Sequence, residues 1–352
     1  MRRRALVAGS AVVGLGIGGG AVYALGARRG PEAESVESGL PGPLRGETAP
    51  GRVAVVALDR GASAGLRVLA RAVAAAGTDS VTASLALGSG VFRADNQRPR
   101  QLGKMPSFPG DLLDPAQSHG DVLVQIAGER AGDIAEAVDR LLAGASGWRV
   151  RWRIDGFRAA NRVEGGRGLA RNPFHFTEGF GNPAGERETA ERALVRAGQG
   201  APDWAVGGSY QVVRIIRFAT ELWDKDSVHE QERIIGRRRD GRWLDGTPTD
   251  EEPNFAADPK GRLTPLDSHV RIAAPDRRNP PPLVRRSYSY DRGDGDTGLV
   301  FSCFQRDLAQ GFEAVQKRLE GEAMAKYLLT TGGGYFFVPP PGDAWLDAVA
   351  PV

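Results

Sequence analysis

Two stretches of this 352-residue chain run through the same succession of hydrophobic patterns, and that repetition limits the fold more than any other feature. In the first, residues 53–58 are a short apolar run of strand type. Leu66, Leu69, Ala70 and Val73 then recur at helical spacing. Residues 81–87 alternate, 122–126 are a second β-rich run, and Ile134, Val138, Leu141 and Leu142 mark another amphipathic helix. Residues 148–154 (WRVRWRI) alternate with period two, as a half-buried strand does. The order β-α-β-β-α-β is the ferredoxin-like succession. A similar order returns with a strand at 210–218, a helix at 227–237 and a strand at 298–304. Leu308, Phe312, Val315 and Leu319 line one face of a long helix, and residues 335–338 form a closing strand after a Gly triplet. The expectation is an α+β protein made of two ferredoxin-like domains, antiparallel sheets with packed helices, related by internal duplication. The first would span 52–200 and the second 201–352. Residues 238–266 are charged, Pro-bearing and weakly patterned, and read as a loop excursion.

The N-terminus is set apart. Arg2, Arg3 and Arg4 precede 23 uncharged residues (5–27) rich in Gly, Ala and Val, the layout of an export signal. The arginine pairs resemble a twin-arginine signal, although Ala5-Leu6 stands where Phe-Leu is common. Residues 1–27 are therefore expected to export the chain to the periplasm, the cell envelope or the outside. Cleavage and retention as an anchor are both open, and any membrane contact would run through this segment alone. Residues 28–51, rich in Pro, Gly and Glu, read as a flexible linker.

That leader also explains the charge. Five of the 46 basic residues lie in the first thirty positions and none of the 43 acidic ones does, so the rest of the chain is formally −2. A nucleic-acid partner loses its main support. One cysteine, Cys303, excludes an intrachain disulfide framework, an all-cysteine iron–sulfur site, a CxxC redox pair and a CxxCH haem attachment. The four histidines, His119, His175, His229 and His269, form no zinc motif. No Walker loop or GxSxG is present, and residues 165–168 (GGRG) lack the strand and helix of a dinucleotide fingerprint, so they read as a loop.

The distinctive segment is 171–183, RNPFHFTEGFGNP: an acid beside a glycine, close to an aromatic pair, with turn residues at both ends. Further motifs are Phe108-Pro109-Gly110-Asp111, residues 120–126 (GDVLVQI), residues 230–237 (EQERIIGR), Asp267-Ser268-His269-Val270-Arg271, residues 284–290 (VRRSYSY), Phe304-Gln305-Arg306-Asp307-Leu308 and residues 332–337 (GGGYFF). Together these resemble the dye-decolourising peroxidase family, in its twin-arginine-exported branch, from about residue 53 to the C-terminus. The family loop carries GxxDG. Here His175 stands for the first Gly and Glu178 for the Asp, while Gly179, Asn182 and Pro183 remain.

The resemblance implies the architecture shared with chlorite dismutase-like proteins and one non-covalent haem b per chain. It makes His269 the iron ligand, an imidazole that leaves the opposite side open to peroxide. An acceptor for the other ring N–H is then required, with Glu322 as first candidate and Asp307 as second. Glu178 would carry a proton between the peroxide oxygens, and the Arg285 guanidinium would stabilise developing charge. Arg271 is expected to hold a haem carboxylate, and His175, Gly179, Ser287 and Phe301 to line the cofactor. The implied enzyme is a haem peroxidase that reduces hydrogen peroxide and oxidises a small-molecule donor, a dye or a phenol. Two alternatives remain: a deferrochelatase-like iron-uptake protein, and a haem-binding protein with little turnover. The extra methylene of Glu178 moves its carboxylate by roughly 1.5 Å, and misplacement of that size costs on the order of 100-fold in rate, so peroxide activation is expected to be slowed. Any homo-oligomer would be symmetric. The six tryptophans are assigned no radical role, since such residues are mostly packing groups.

Overall fold

The computed structural model describes residues 39–350 apart from 47–48, 95–96, 159–161, 165–166 and 170. The expected export signal and residues 28–38 of the expected linker lie outside the described residues, while 39–46 are no flexible linker: Leu40 and Leu44 are fully buried in the core and Gly42–Leu44 form a helical turn. The first half supplies β1 (Arg52–Arg60), α1 (Leu66–Ala76), β2 (Val81–Leu87), β3 (Val122–Gly128), α2 (Ala131–Gly144) and β4 (Trp148–Phe157). All pairings are antiparallel, in the order β2-β3-β1-β4. Both helices bury one stripe at three- and four-residue spacing: Leu66, Leu69, Val73 and Ala76 on α1, and Ile134, Val138 and Leu141 on α2. These meet Val56, Leu58, Val124 and Ile126 on one face of the sheet. Each such large side chain contributes about 1.5–3 kcal/mol by leaving water. Leu142, one position past the stripe, is exposed.

A short hairpin, β5 (Arg162–Glu164) and β6 (Arg167–Leu169), then leads to α3 (Glu186–Ala193). The second half follows: β7 (Ser209–Phe218), α4 (Thr220–Trp223), α5 (Val228–Ile235), α6 (His269–Ala273), β8 (Val284–Arg285), β9 (Tyr288–Asp291), β10 (Thr297–Gln305), α7 (Ala314–Arg318), β11 (Leu328–Val338) and α8 (Ala344–Val349). Its sheet order is β9-β10-β7-β11, again antiparallel. In each half the strands therefore stand second, third, first, fourth, the ferredoxin-like arrangement expected from the sequence. Phe337 pairs with Leu87 and Phe157 with Ser289, which joins the two sheets along both edges into a ring of eight strands. Val55, Trp152, Ile154, Val213, Ile215, Phe304 and Phe336 fill its interior. Across it, the buried Gln211 amide donates to Gln125 Oε1 and Ser302 Oγ, both at 3.1 Å.

Three elements differ from their sequence patterns. The Gly triplet lies inside β11 and not before it, because the segment around 111–119 crosses directly over the strand. A Cβ on Gly332 would stand 2.3 Å from the Gln117 carbonyl oxygen, and His119 N–H donates to the Gly333 carbonyl at 2.7 Å. The long helix after Leu308 is a five-residue π-helical stretch (309–313) that passes into α7, with Glu313 N–H bonded to the Leu308 carbonyl five residues back. Gly168, read as loop, belongs to β6. Residues 238–266 are irregular apart from one turn at Phe255–Ala257. Among the described residues, no helix is long and apolar enough to cross a membrane.

Candidate active site

The loop at 171–183 is shaped by its own side chains. Asn172 Oδ1 accepts the backbone N–H groups of Phe174 and Phe176, each at 3.1 Å, and so holds a tight turn between them. Phe174 and Phe176 are both fully buried. Phe174 stacks on Phe218 at the end of β7 with ring centroids 4.1 Å apart, and Phe176 meets Trp223 of α4 edge-on. His175, between them, points the other way. It sits at φ +68°, a left-handed conformation that explains why glycine suits this position. Its ring is half exposed and pairs with Asp224 Oδ1 at 3.1 Å.

Two further anchors fix the loop as it leaves the turn. Thr177 N–H donates to the Arg239 carbonyl at 3.1 Å, and Arg237 Nη2 donates to the Thr177 carbonyl at 2.5 Å. Arg237 is buried, with its guanidinium 4.7 Å from the Phe180 ring centroid. Burial, with help from the Arg285 charge, pushes it down to about 10. Asn182 then makes a reciprocal pair with the backbone of Arg285. Its amide donates to the Arg285 carbonyl and its Oδ1 accepts the Arg285 N–H, both at 2.9 Å. Arg285 Nη2 donates in turn to the Phe180 carbonyl. Glu178 and Arg285 are thus carried by one hydrogen-bonded unit.

Glu178 is half-buried, with its carboxylate hydrogen-bonded to the Asn172 side chain. Burial raises its pKa above the ordinary glutamate value. The guanidiniums of Arg158, Arg285 and Arg237 pull the other way and do not overcome burial. Arg285 is itself lowered, first by burial and then by the neighbouring Arg277. The arrangement pairs a carboxyl poised to exchange protons with a fixed guanidinium.

His269 opens α6, and its Nδ1 lies 2.7 Å from Oε2 of the buried Glu322. A carboxylate accepts, so Nδ1 carries the proton and Nε2 is the nitrogen free to coordinate. Asp307, the other candidate, instead accepts the backbone N–H of Gln310 at 2.9 Å. One element braces both sides of the site. Gly236, at φ +91°, ends α5, and a Cβ there would stand 2.6 Å from Ser268 Oγ and from Val270 Cγ2. Arg237, the next residue, reaches the Thr177 loop.

The remaining sequence candidates divide. Gly179, at φ +104°, is exposed at the bend after Glu178. Ser287 lies in the break between β8 and β9, where its Oγ accepts the Ser302 N–H at 3.3 Å. Phe301 packs beside Phe312, with ring centroids 6.1 Å apart. Arg271 is committed elsewhere: its guanidinium donates to the carbonyls of Thr264 (2.7 Å), Phe255 (3.1 Å) and Asp258 (2.7 Å) and lies over the Phe255 ring. It clamps the loop that precedes His269.

A model of the Dyp-type peroxidase N-terminal domain matches residues 53–158, and one of the C-terminal domain matches residues 169–343. The chain belongs to the Dyp-type peroxidase family. A deferrochelatase from Yersinia pestis is 38% identical over 272 residues, covering 72% of this chain and 62% of that protein. The chain thus spans about three fifths of the length of the curated relatives it matches. A solved DyP-type peroxidase from Streptomyces coelicolor aligns with a TM-score of 0.75 at 32% identity, covering 86% of this chain and 91% of that one. Ferric DtpA from Streptomyces lividans aligns with a TM-score of 0.75 at 30% identity, covering 87% and 95%.

Sequence reasoning missed Asn172, Asn182, Arg237 and Arg158 as site residues. The two asparagines bracket an aromatic, glycine-containing loop, and Asn in turns commonly bonds backbone N–H groups, so their signal was present. Arg237 closes the 230–237 motif after a helix-ending glycine, and the motif carried no hint of its reach to the Thr177 carbonyl.

Proposed function

We propose that this chain is a haem-dependent peroxidase that reduces hydrogen peroxide and oxidises a small-molecule donor such as a dye or a phenol. The observation that carries this is the shared framework of Glu178 and Arg285, linked through Gly236 and Arg237 to the segment of a histidine whose Nδ1 is held by Glu322. The residues present fit haem b. A partly exposed His269 ring offers Nε2, and an excess of arginines around Glu178, with a buried and unpartnered Arg277 Nη2, suits an anionic group. Haem bound through its iron to His269 would supply the redox centre at which the peroxide O–O bond breaks.

The chain's own residues do the rest. Glu322 holds the Nδ1 proton, which orients the ring and makes Nε2 a stronger donor. Glu178 takes a proton from one peroxide oxygen and delivers it to the other. Its raised pKa narrows the gap to the groups it exchanges with, which favours transfer in both directions. Arg285, fixed through the Phe180 carbonyl, presents N–H groups to the negative charge that develops as the bond breaks. Export by the twin-arginine route, to the envelope or beyond, belongs to the same proposal and rests on Arg2–Arg4 and the uncharged run at 5–27.

The 38% identity to a deferrochelatase supports a second reading, removal of iron from haem. Incubating the haem-loaded protein with peroxide and a dye separates the two. Dye oxidation that disappears in a Glu178→Gln variant supports the peroxidase. Metal-free porphyrin recovered without dye oxidation supports iron removal and sinks the peroxidase proposal.

A further inference from the structure

Three arginines converge on Gly181. Arg192 Nη1 donates to its carbonyl at 3.3 Å. A Cβ built on Gly181, which sits at φ +76°, would lie 3.3 Å from Arg277 Nη1 and 3.4 Å from Arg285 Nη2. The bare glycine therefore lets two guanidiniums, one from the loop before β8 and one from β8 itself, reach the same point. Their recorded partners leave that point unfilled. Arg192 is taken up by Glu188, and Arg277 Nε by Glu252 Oε2 at 2.6 Å. Arg277 also lies over Trp243, 5.1 Å from the ring centroid. Its side chain is 8% exposed, and its Nη2 is buried with no partner. Glu178 is one carboxylate shared among Arg158, Arg285 and Arg237, so the group as a whole stays cationic.

A buried guanidinium N–H without an acceptor is costly, and so are two like charges side by side. A planar anion with two oxygens removes both costs, since guanidinium forks match carboxylate geometry. We propose that Arg277 and Arg285, meeting at Gly181, form a carboxylate-binding site. The carboxylate belongs either to the porphyrin edge or to a small free acid. The first source rests on the haem proposal; the second does not.

The test uses the full chain with Arg277→Gln and Arg277→Lys. Haem and its dimethyl ester, which lacks free carboxylates, are titrated against the haem-free protein by Soret absorbance, with Trp243 fluorescence as a second signal. A porphyrin carboxylate predicts that Arg277→Gln weakens haem binding by about tenfold or more and leaves the ester unaffected. In parallel, thermal melts are compared in formate and in chloride of equal ionic strength. A free carboxylate predicts that formate raises the melting temperature of the parent and not of Arg277→Gln. Arg277→Lys keeps the charge without the fork, so it loses the same discrimination even where the glutamine variant fails to fold. A Glu252→Gln control separates the Arg277–Glu252 pair from the site. An unchanged haem-to-ester ratio, together with an equal formate response in parent and variants, overturns the proposal. A parent that binds neither porphyrin sinks the haem proposal, and the formate arm then decides this one.

Discussion

Oε2 of Glu322 lies 2.7 Å from Nδ1 of His269, joining residues 53 positions apart in sequence. The carboxylate is almost fully buried, while the ring keeps 29% of its side-chain surface exposed. The histidine is thus backed from inside and open on its outer nitrogen. Replacing Glu322 with Gln keeps the shape and weakens the acceptor. The expected result is a loss of about 10- to 100-fold in turnover or iron-porphyrin affinity, with circular dichroism unchanged. Parent-like spectra and affinity in that variant would remove Glu322 from the site.

The raised pKa of Glu178 fixes a direction with pH. In the proposed mechanism the carboxylate acts as the base, so kcat/KM for peroxide should fall as pH drops through its folded-state pKa, which lies above the ordinary glutamate value. Stability runs the opposite way. A carboxyl whose pKa is raised on folding contributes most below its unfolded pKa, and that contribution is lost as pH rises through the folded value. Glu178→Gln should therefore melt higher than the haem-free parent at neutral pH, with the difference shrinking in acid. A difference that grows on acidification would contradict the assignment.

Glu178→Asp shortens the stem by one methylene and restores the residue common in the family loop. The expected outcome in stopped-flow mixing with peroxide is a faster bimolecular step, by on the order of tenfold or more. A variant no faster than the parent would mean that the glutamate already reaches its working position.

Asn182 binds the Arg285 backbone at both N–H and C=O, as a neighbouring strand would. Asn182→Ala removes both bonds, at a net cost of about 1–3 kcal/mol. Because the bonds position Arg285, kcat/KM for peroxide should fall while haem still binds. Parent-like peroxide kinetics would limit Asn182 to shaping the loop.

Much of this was legible in the sequence where one pattern decided the outcome. The strand at 148–154 and the stripes on α1 and α2 appear where alternation and helical spacing put them, because burial of one face drives both. The Gly triplet misled for a physical reason: glycine there makes room for the chain crossing at Gln117, a contact no local pattern records. The helix after Leu308 looked regular because Leu308 and Phe312 are both buried, and their spacing does not reveal an i to i−5 bond. His269, Glu178 and Arg285 were singled out through motifs. The backbone contacts of Arg271 were not legible, since its acceptors are carbonyls at 255, 258 and 264, which leave no trace in side-chain identity. The grouping of Arg158, Arg237 and Arg277 around the loop is likewise a product of the fold alone.

The most direct test is the absorption spectrum of the haem-reconstituted protein before and after one equivalent of hydrogen peroxide. A Soret band that forms on reconstitution and shifts within seconds of peroxide addition, and does not shift in Glu178→Gln, is the predicted result. A Soret band that forms and stays ferric in the parent would contradict the account, leaving a haem site without the peroxide chemistry assigned to Glu178 and Arg285.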